Sequence, residues 1–435
     1  MQERVMREKQ NKQTIEKQNH EATRTQMNAE APAIEADAGT AQPGRQVQSI
    51  SRLGFGCMRL PSSFEKVETM ILHALDLGIR YFDTAYIYPG NETLLGRVIK
   101  KNHCRSRMEI ATKLPHYMIK KPEDPEKYFQ IQLERLGTDY VDHYLMHMLP
   151  DVPTWNRLKD LGILEWLTEK KASGQIRRVG FSYHGGSRDF LALLDAYDWD
   201  FVQVQYNYMD EHSQAGRIGV ERAAEKGIPV IIMEPLRGGL LTSRLPEEAK
   251  AMIKEHPSHR TAAAWSLRWL WDQPAVSCVL SGMNTMEMID ENFRTEQAAP
   301  AGCMSPEDHA FIERLQAAVS AGVKVGCTGC GYCMPCPFGV NIPGAFRCYN
   351  ASYMDGYGKG FKEYVMNTCF TRQGSYAGLC RACGRCAPHC PQSIPIPDVL
   401  RKVRRRFEHP AFRGARWFIR RVMLRGKEPD AGDAE

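Results

Sequence analysis

Eight of the chain's 14 cysteines fall into two tight runs. The first reads Cys327-x2-Cys330-x2-Cys333-x2-Cys336-Pro337, the second Cys380-x2-Cys383-x2-Cys386-x3-Cys390-Pro391. Two intervening residues let three successive thiolates curl around one face of a cubane iron–sulfur cluster. So short a loop cannot also reach the far iron, and a fourth thiolate must come from elsewhere. Zinc is the rival metal, because paired C-x2-C arms hold it well. Three thiols in a row at this spacing suit a cubane better than a tetrahedral ion. Cys57, Cys104, Cys278, Cys303, Cys348 and Cys369 read as ordinary buried or surface residues. Cys348 and Cys369 lie between the runs and are the reserve ligands.

A second set of chemistry-bearing residues lies far upstream: Asp83, Tyr88, Lys113 and His147. Asp83 closes the apolar stretch RYFDTA, and Tyr88 follows five residues later. Lys113 closes MEIATK, and His147 closes YVDHYLMH. Singly, each has an ordinary reading as a loop cap, a packed aromatic, a solvated amine or a core imidazole. Jointly, they mark the ends of successive strands and one adjoining loop, where barrel enzymes carry their chemistry.

The elements that would position them alternate along the chain. Candidate strands are 53–58, 80–85, 108–113, 140–147, 176–182, 201–207, 228–235 and 275–282, and amphipathic helical stretches such as 67–78 and 166–174 follow most of them. Eight strand–helix units predict an α/β fold, a (β/α)8 TIM barrel over 48–300. A doubly wound sheet would carry G-x-G-x-x-G after its first strand. Leu53-Gly54-Phe55-Gly56 lacks the third glycine.

The stretches FDTAYIYPGNE, IATKLP, DYVDHYLMH, VGFS, QVQYN, EPLRGG and SGMNTMEMIDEN occur in the order of the aldo-keto reductases, and over most of 48–295 the chain resembles that family. The resemblance implies carbonyl/alcohol redox chemistry on a small substrate. Tyr88 is then the proton donor, with Lys113 expected to lower its pKa from about 10. Asp83 orients Lys113, and His147 orients the carbonyl. Ser182 and Gln203 would meet the carboxamide of NAD(P)H, with Asn207 a weaker neighbour. Two positions depart from the family pattern. Met233 stands where an aromatic often stacks on the nicotinamide, and Met288 where an arginine often holds the 2′-phosphate.

The second cysteine run is similar to that of bacterial ferredoxins; the first differs by one residue before Cys336. By analogy, one [4Fe–4S] cluster takes Cys327, Cys330, Cys333 and Cys390, and the other Cys380, Cys383, Cys386 and Cys336. A barrel joined to a bacterial-ferredoxin-like iron–sulfur domain resembles a bacterial subfamily of iron–sulfur aldo-keto reductases. The expected function is an oxidoreductase whose two clusters exchange electrons with a soluble carrier or support the fold. The alternative is an electron-transfer or redox-sensing protein with an inactive barrel.

The 435 residues divide into a disordered segment 1–47, the barrel 48–300, a linker helix within 301–322, the cysteine domain 323–400 and a basic tail 401–435. The formal net charge of +6 is concentrated in that tail, where Arg401 to Lys427 carries eleven Lys and Arg against one Glu. A solvated terminal helix with a few aromatics tucked onto the domain is the leading reading of the tail and docking to an acidic electron carrier the next, ahead of a membrane-surface or nucleic-acid arm. No nucleic-acid partner is expected. No apolar run is long enough to span a bilayer. The polar N-terminal residues lack the apolar core of a secretion signal, which places the chain in the cytoplasm.

Overall fold

The strands β1 (Leu53–Gly56), β2 (Tyr81–Asp83), β3 (Glu109–Leu114), β4 (Val141–Met146), β5 (Ile176–Tyr183), β6 (Phe201–Gln205), β7 (Val230–Met233) and β8 (Cys278–Ser281) close into a barrel. All eight pairings are parallel, with β8 returning to β1. These are features of a computed structural model, which describes residues 50–354, 356–369, 374–419 and 421. The segment 1–47 expected to be disordered lies outside the described residues.

Parallel strands are covered on both faces, which explains their near-continuous apolar runs. Every residue of β4 is buried. Inward side chains including Tyr81, Ala111, Leu145, Phe201, Ile231 and Cys278 fill the barrel's interior. His143 joins them, 4.7 Å from the Tyr81 ring and 5.1 Å from Phe201. Gly180 in β5 makes room: a Cβ there would stand 2.5 Å from the Phe201 carbonyl oxygen. The outer layer is helical. In the helix Phe64–Asp76, Val67, Met70, Ile71, Ala74 and Leu75 turn inward, and the Ser63 hydroxyl caps the Lys66 amide. Such a cap contributes about 1 kcal/mol.

The expected linker helix runs from Pro306 to Gly322, within the 301–322 segment. It is part of the barrel's coat rather than a free connector. Phe311, Ile312, Leu315 and Val319 join the main core, and Phe311 packs 4.6 Å from Trp265.

The cysteine region has a second core of its own, built from helices Ile342–Met354, Tyr357–Cys369 and Ile396–Phe407. Residue 400 falls inside the last of these, so it is not a boundary. Ile396, Val399, Leu400, Val403 and Phe407 bury one face of that helix, leaving Arg401, Lys402, Arg404 and Arg405 outside. The following helix, Pro410–Phe418, adds Phe412 to the same core. Glu408 between them accepts from the Tyr364 hydroxyl at 2.7 Å and from the Gly378 amide at 2.7 Å. The described part of the basic tail therefore docks on the cysteine region. Among the described residues no helix is long and apolar enough to cross a membrane.

Candidate active site and cysteine cavities

Strand register brings the upstream residues together. Asp83 ends β2 and pairs with Ala111, so Lys113 emerges two residues further along β3 at the same end of the barrel. Lys113 pairs with Leu145, which places His147 just past the end of β4. The Lys113 ammonium donates to both Asp83 carboxylate oxygens and to the Thr84 carbonyl, each at 2.7 Å. Gln203 donates to the same carboxylate at 3.2 Å. Burial pushes the Asp83 carboxyl up, while Lys113 and Gln203 pull it back.

Tyr88 stands over this pair, its ring 5.3 Å from Lys113 Nζ. The His147 ring meets it edge-on at 6.2 Å. The sequence led us to expect a lowered Tyr88 pKa; the structure reverses that direction. The Tyr88 hydroxyl is held well above 10, by burial first and then by Tyr332 and Asp83. The Lys113 charge is already matched by Asp83, so little of it is left to favour a phenolate. Burial, followed by the like charge of Lys113, pushes His147 well below 6.5 and keeps its imidazole neutral. Its Nδ1 has no hydrogen-bond partner.

Ser182 and Gln203 lie directly opposite each other on β5 and β6. Ser182 Oγ accepts from the Met148 amide at 2.8 Å. Gln203 Oε1 is buried without a partner. Asn207 is spent on structure, donating to Asp210 at 3.0 Å and to the Glu234 carbonyl at 3.3 Å. Met233 is partly buried against the barrel interior, and Met288 is exposed.

The cysteine runs meet in two cavities. Cys327, Cys330, Cys333 and Cys390 line one, with Ile342, Phe346, Ile394 and Ile396. Cys336, Cys380, Cys383 and Cys386 line the other. Ile342 is a wall common to both. Each run thus supplies three thiols to one cavity and its cysteine before proline to the other. Among the described residues, no three His, Cys, Asp or Glu groups gather tightly enough to hold a lone metal ion. A zinc site would need thiolates about 2.3 Å from one centre. Burial, then the neighbouring thiolates, pushes Cys327 up to about 11 and Cys333 to about 12. Four thiols converging on an apolar hollow form a donor set that an iron–sulfur core would fit.

Sequence reading missed the residues at the seam between these sites. Tyr332, between Cys330 and Cys333, lies within hydrogen-bonding reach of the Tyr88 hydroxyl, and its ring meets His147 edge-on at 6.4 Å. The contact raises Tyr88 and lowers Tyr332. Glu234, just after β7, is buried nearby with one oxygen unpartnered, and burial pushes its carboxyl up to about 7. Arg59 donates to the Thr328 carbonyl at 3.3 Å. Gly238 (φ +63°) approaches that carbonyl so closely that a Cβ would stand 2.1 Å from its oxygen. Glu234 and Gly238 belong to the EPLRGG stretch already singled out. Nothing local marked Tyr332.

Comparison with known proteins agrees with the barrel. The chain is 29% identical over 219 residues to the aldo-keto reductase yakc [NADP(+)] of Schizosaccharomyces pombe, a match covering 46% of this chain and 63% of that protein, so under two thirds of the relative is spanned. It is 27% identical over 302 residues to the uncharacterized oxidoreductase YqkF of Bacillus subtilis, covering 61% and 92%. The solved aldo-keto reductase AKR11C1 from Bacillus halodurans, in its holo form, superposes with a TM-score of 0.51 at 26% identity, covering 61% of this chain and 92% of that one. The aldo/keto reductase family model matches residues 52–301, more than half of the chain and ending before the first cysteine run. The chain belongs to the aldo/keto reductase family.

Proposed function

We propose that the barrel interconverts a small carbonyl compound and its alcohol with NADP(H), and that the cysteine cavities hold two [4Fe–4S] clusters. The observation that supports the barrel chemistry best is the buried Lys113–Asp83 pair beneath Tyr88 and His147. A bound reduced nicotinamide would supply the hydride. The NADP(+) in the name of the fission-yeast relative favours the phosphorylated form. The unpartnered Gln203 Oε1 is a ready acceptor for a carboxamide N–H, whereas Ser182 already accepts a backbone amide.

Tyr88 remains a neutral phenol at neutral pH and is suited to give a proton to a carbonyl oxygen. The Lys113 ammonium, its charge already matched by Asp83, stands close beneath the ring. Asp83 fixes Lys113, and the neutral His147 offers a hydrogen bond to the same oxygen. In the free enzyme, the Tyr332 hydroxyl stands within hydrogen-bonding reach of Tyr88, where a substrate oxygen would sit, so substrate must displace it.

The clusters would supply one-electron chemistry and would also fix the loop 327–333 over the barrel mouth. Exposed Cys383 leaves the second cavity near the surface, on the side a soluble electron carrier would approach. The crossed sets of four thiols favour this reading. The test is anaerobic turnover of a carbonyl panel with NADPH and NADH, alongside iron and sulfide assays. Carbonyl reduction lost in Tyr88→Phe and about eight irons per chain are expected. A protein that binds neither nicotinamide, or that holds only zinc, overturns the corresponding half.

A further inference from the structure

The basic tail divides its aromatic residues between two environments. Phe407 and Phe412 are buried in the core of the cysteine region. Trp417 and Phe418, at the end of the helix Pro410–Phe418, are 64% and 52% exposed. Of the chain's seven tryptophans, Trp417 is the one that is exposed.

Helical periodicity accounts for the split. Phe412 and Ile419 turn towards the core, with Ala415 and Arg416 half-buried beside them. The Arg416 guanidinium lies 4.6 Å from the Tyr376 ring. Pro410, Ala411, Arg413, Gly414, Trp417 and Phe418 are all exposed on the other side. Arg421, one turn past Trp417, is exposed as well. A helix that packs one apolar face on a core normally turns a polar face to water. Here the outward face is itself apolar, and the polar groups on it are arginines.

Composition narrows the partner. Pro410 to Lys427 contains six Lys and Arg and no Asp, Glu, Ser, Thr, Asn or Gln. Protein partners recognise one another through neutral as well as charged side chains, at about one hydrogen bond per 100–200 Å². Apart from the Trp417 indole N–H, this segment has no such neutral group to offer. A lipid surface asks for less. Aromatic rings settle at the boundary between headgroups and acyl chains, and long cationic side chains reach back to anionic headgroups. The preceding helix, Ile396–Phe407, presents Arg401, Lys402, Arg404 and Arg405 to solvent, which adds to the positive field.

We propose that the helix Pro410–Phe418 docks the protein on an anionic lipid surface. Trp417 and Phe418 enter at headgroup level, and Arg413 and Arg421 meet the headgroups. The attachment is peripheral, because the inward face of the helix stays packed on the cysteine region. It depends on neither carbonyl reduction nor bound clusters.

The test is sedimentation of the full, metal-loaded chain with vesicles of equal parts phosphatidylglycerol and phosphatidylcholine, kept anaerobic. Binding is expected, at least about tenfold weaker on pure phosphatidylcholine and weakened by added salt. Trp417→Ser/Phe418→Ser and Arg413→Glu/Arg421→Glu should each lose about tenfold or more, with melting temperature and iron content unchanged. Brominated acyl chains should quench the tryptophan emission, and that quenching should vanish in Trp417→Phe while most of the binding remains. No binding to the anionic vesicles, binding unchanged in either double variant, or quenching intact in Trp417→Phe overturns the proposal. Capture of single-stranded DNA or of an acidic ferredoxin without vesicle binding would reassign the surface and overturn it too.

Discussion

Tyr88 and Tyr332, a residue held between two cysteines of the other core, lie within hydrogen-bonding reach of each other. This contact is one cause of the raised Tyr88 pKa. Removing the hydroxyl in Tyr332→Phe should lower that pKa. The alkaline limb of kcat/KM for carbonyl reduction should move to lower pH by up to about one unit. An unmoved limb would show that Tyr332 does not face the reacting proton.

Lys113 and Asp83 form a buried pair with almost no solvent contact, 1% and 7% exposed at their side chains. Removing one partner leaves a buried charge alone. Lys113→Met and Asp83→Asn should each cost about 3–5 kcal/mol in denaturant unfolding and abolish turnover. A loss below about 1 kcal/mol would mean that the pair is solvated in solution.

Buried histidines around the barrel mouth set an acid limit. Burial lowers His116 and His184 to about 4 each. Their folded pKa values lie below the unfolded value of 6.5, so the unfolded chain takes up protons first as pH falls. The stability they contribute is full above about pH 6.5 and is lost as pH drops towards about 4. Each group adds at most about 1.4 kcal/mol per pH unit. Melting curves over this range should flatten in His116→Gln and His184→Gln.

The crossed cysteine sets separate the two cavities experimentally. Cys390→Ser should strip iron from the cavity that shapes the Tyr332 loop and should depress barrel turnover. Cys336→Ser should strip the other and leave turnover largely intact. Each variant should retain about half the iron. Equal loss of turnover in both would contradict the assignment.

The barrel was legible because its signals are local. Apolar stretches ending in Asp83, Lys113 and His147 occur where parallel strands do end, and strand register then forces those side chains to one rim. The grouping of the cysteines around two cavities follows what the ferredoxin resemblance implied rather than a local signal. Tyr332 was not legible, because its contact with Tyr88 is set by how two cores dock. The Tyr88 pKa was misjudged because a sequence shows that Lys113 is near but not that Asp83 has matched its charge. Residue 400 looked like a boundary because composition turns basic there, while the helix Ile396–Phe407 carries its apolar face straight through.

Gly238 meets the Thr328 carbonyl with no room for even a methyl group. A barrel cut away at residue 301 would lose the ceiling over Tyr88 and strand the Glu234 carboxyl against solvent. The smallest piece of this chain that keeps Tyr88 and Glu234 covered therefore extends well past the matched barrel, and the cysteine region belongs to the working part rather than riding on it.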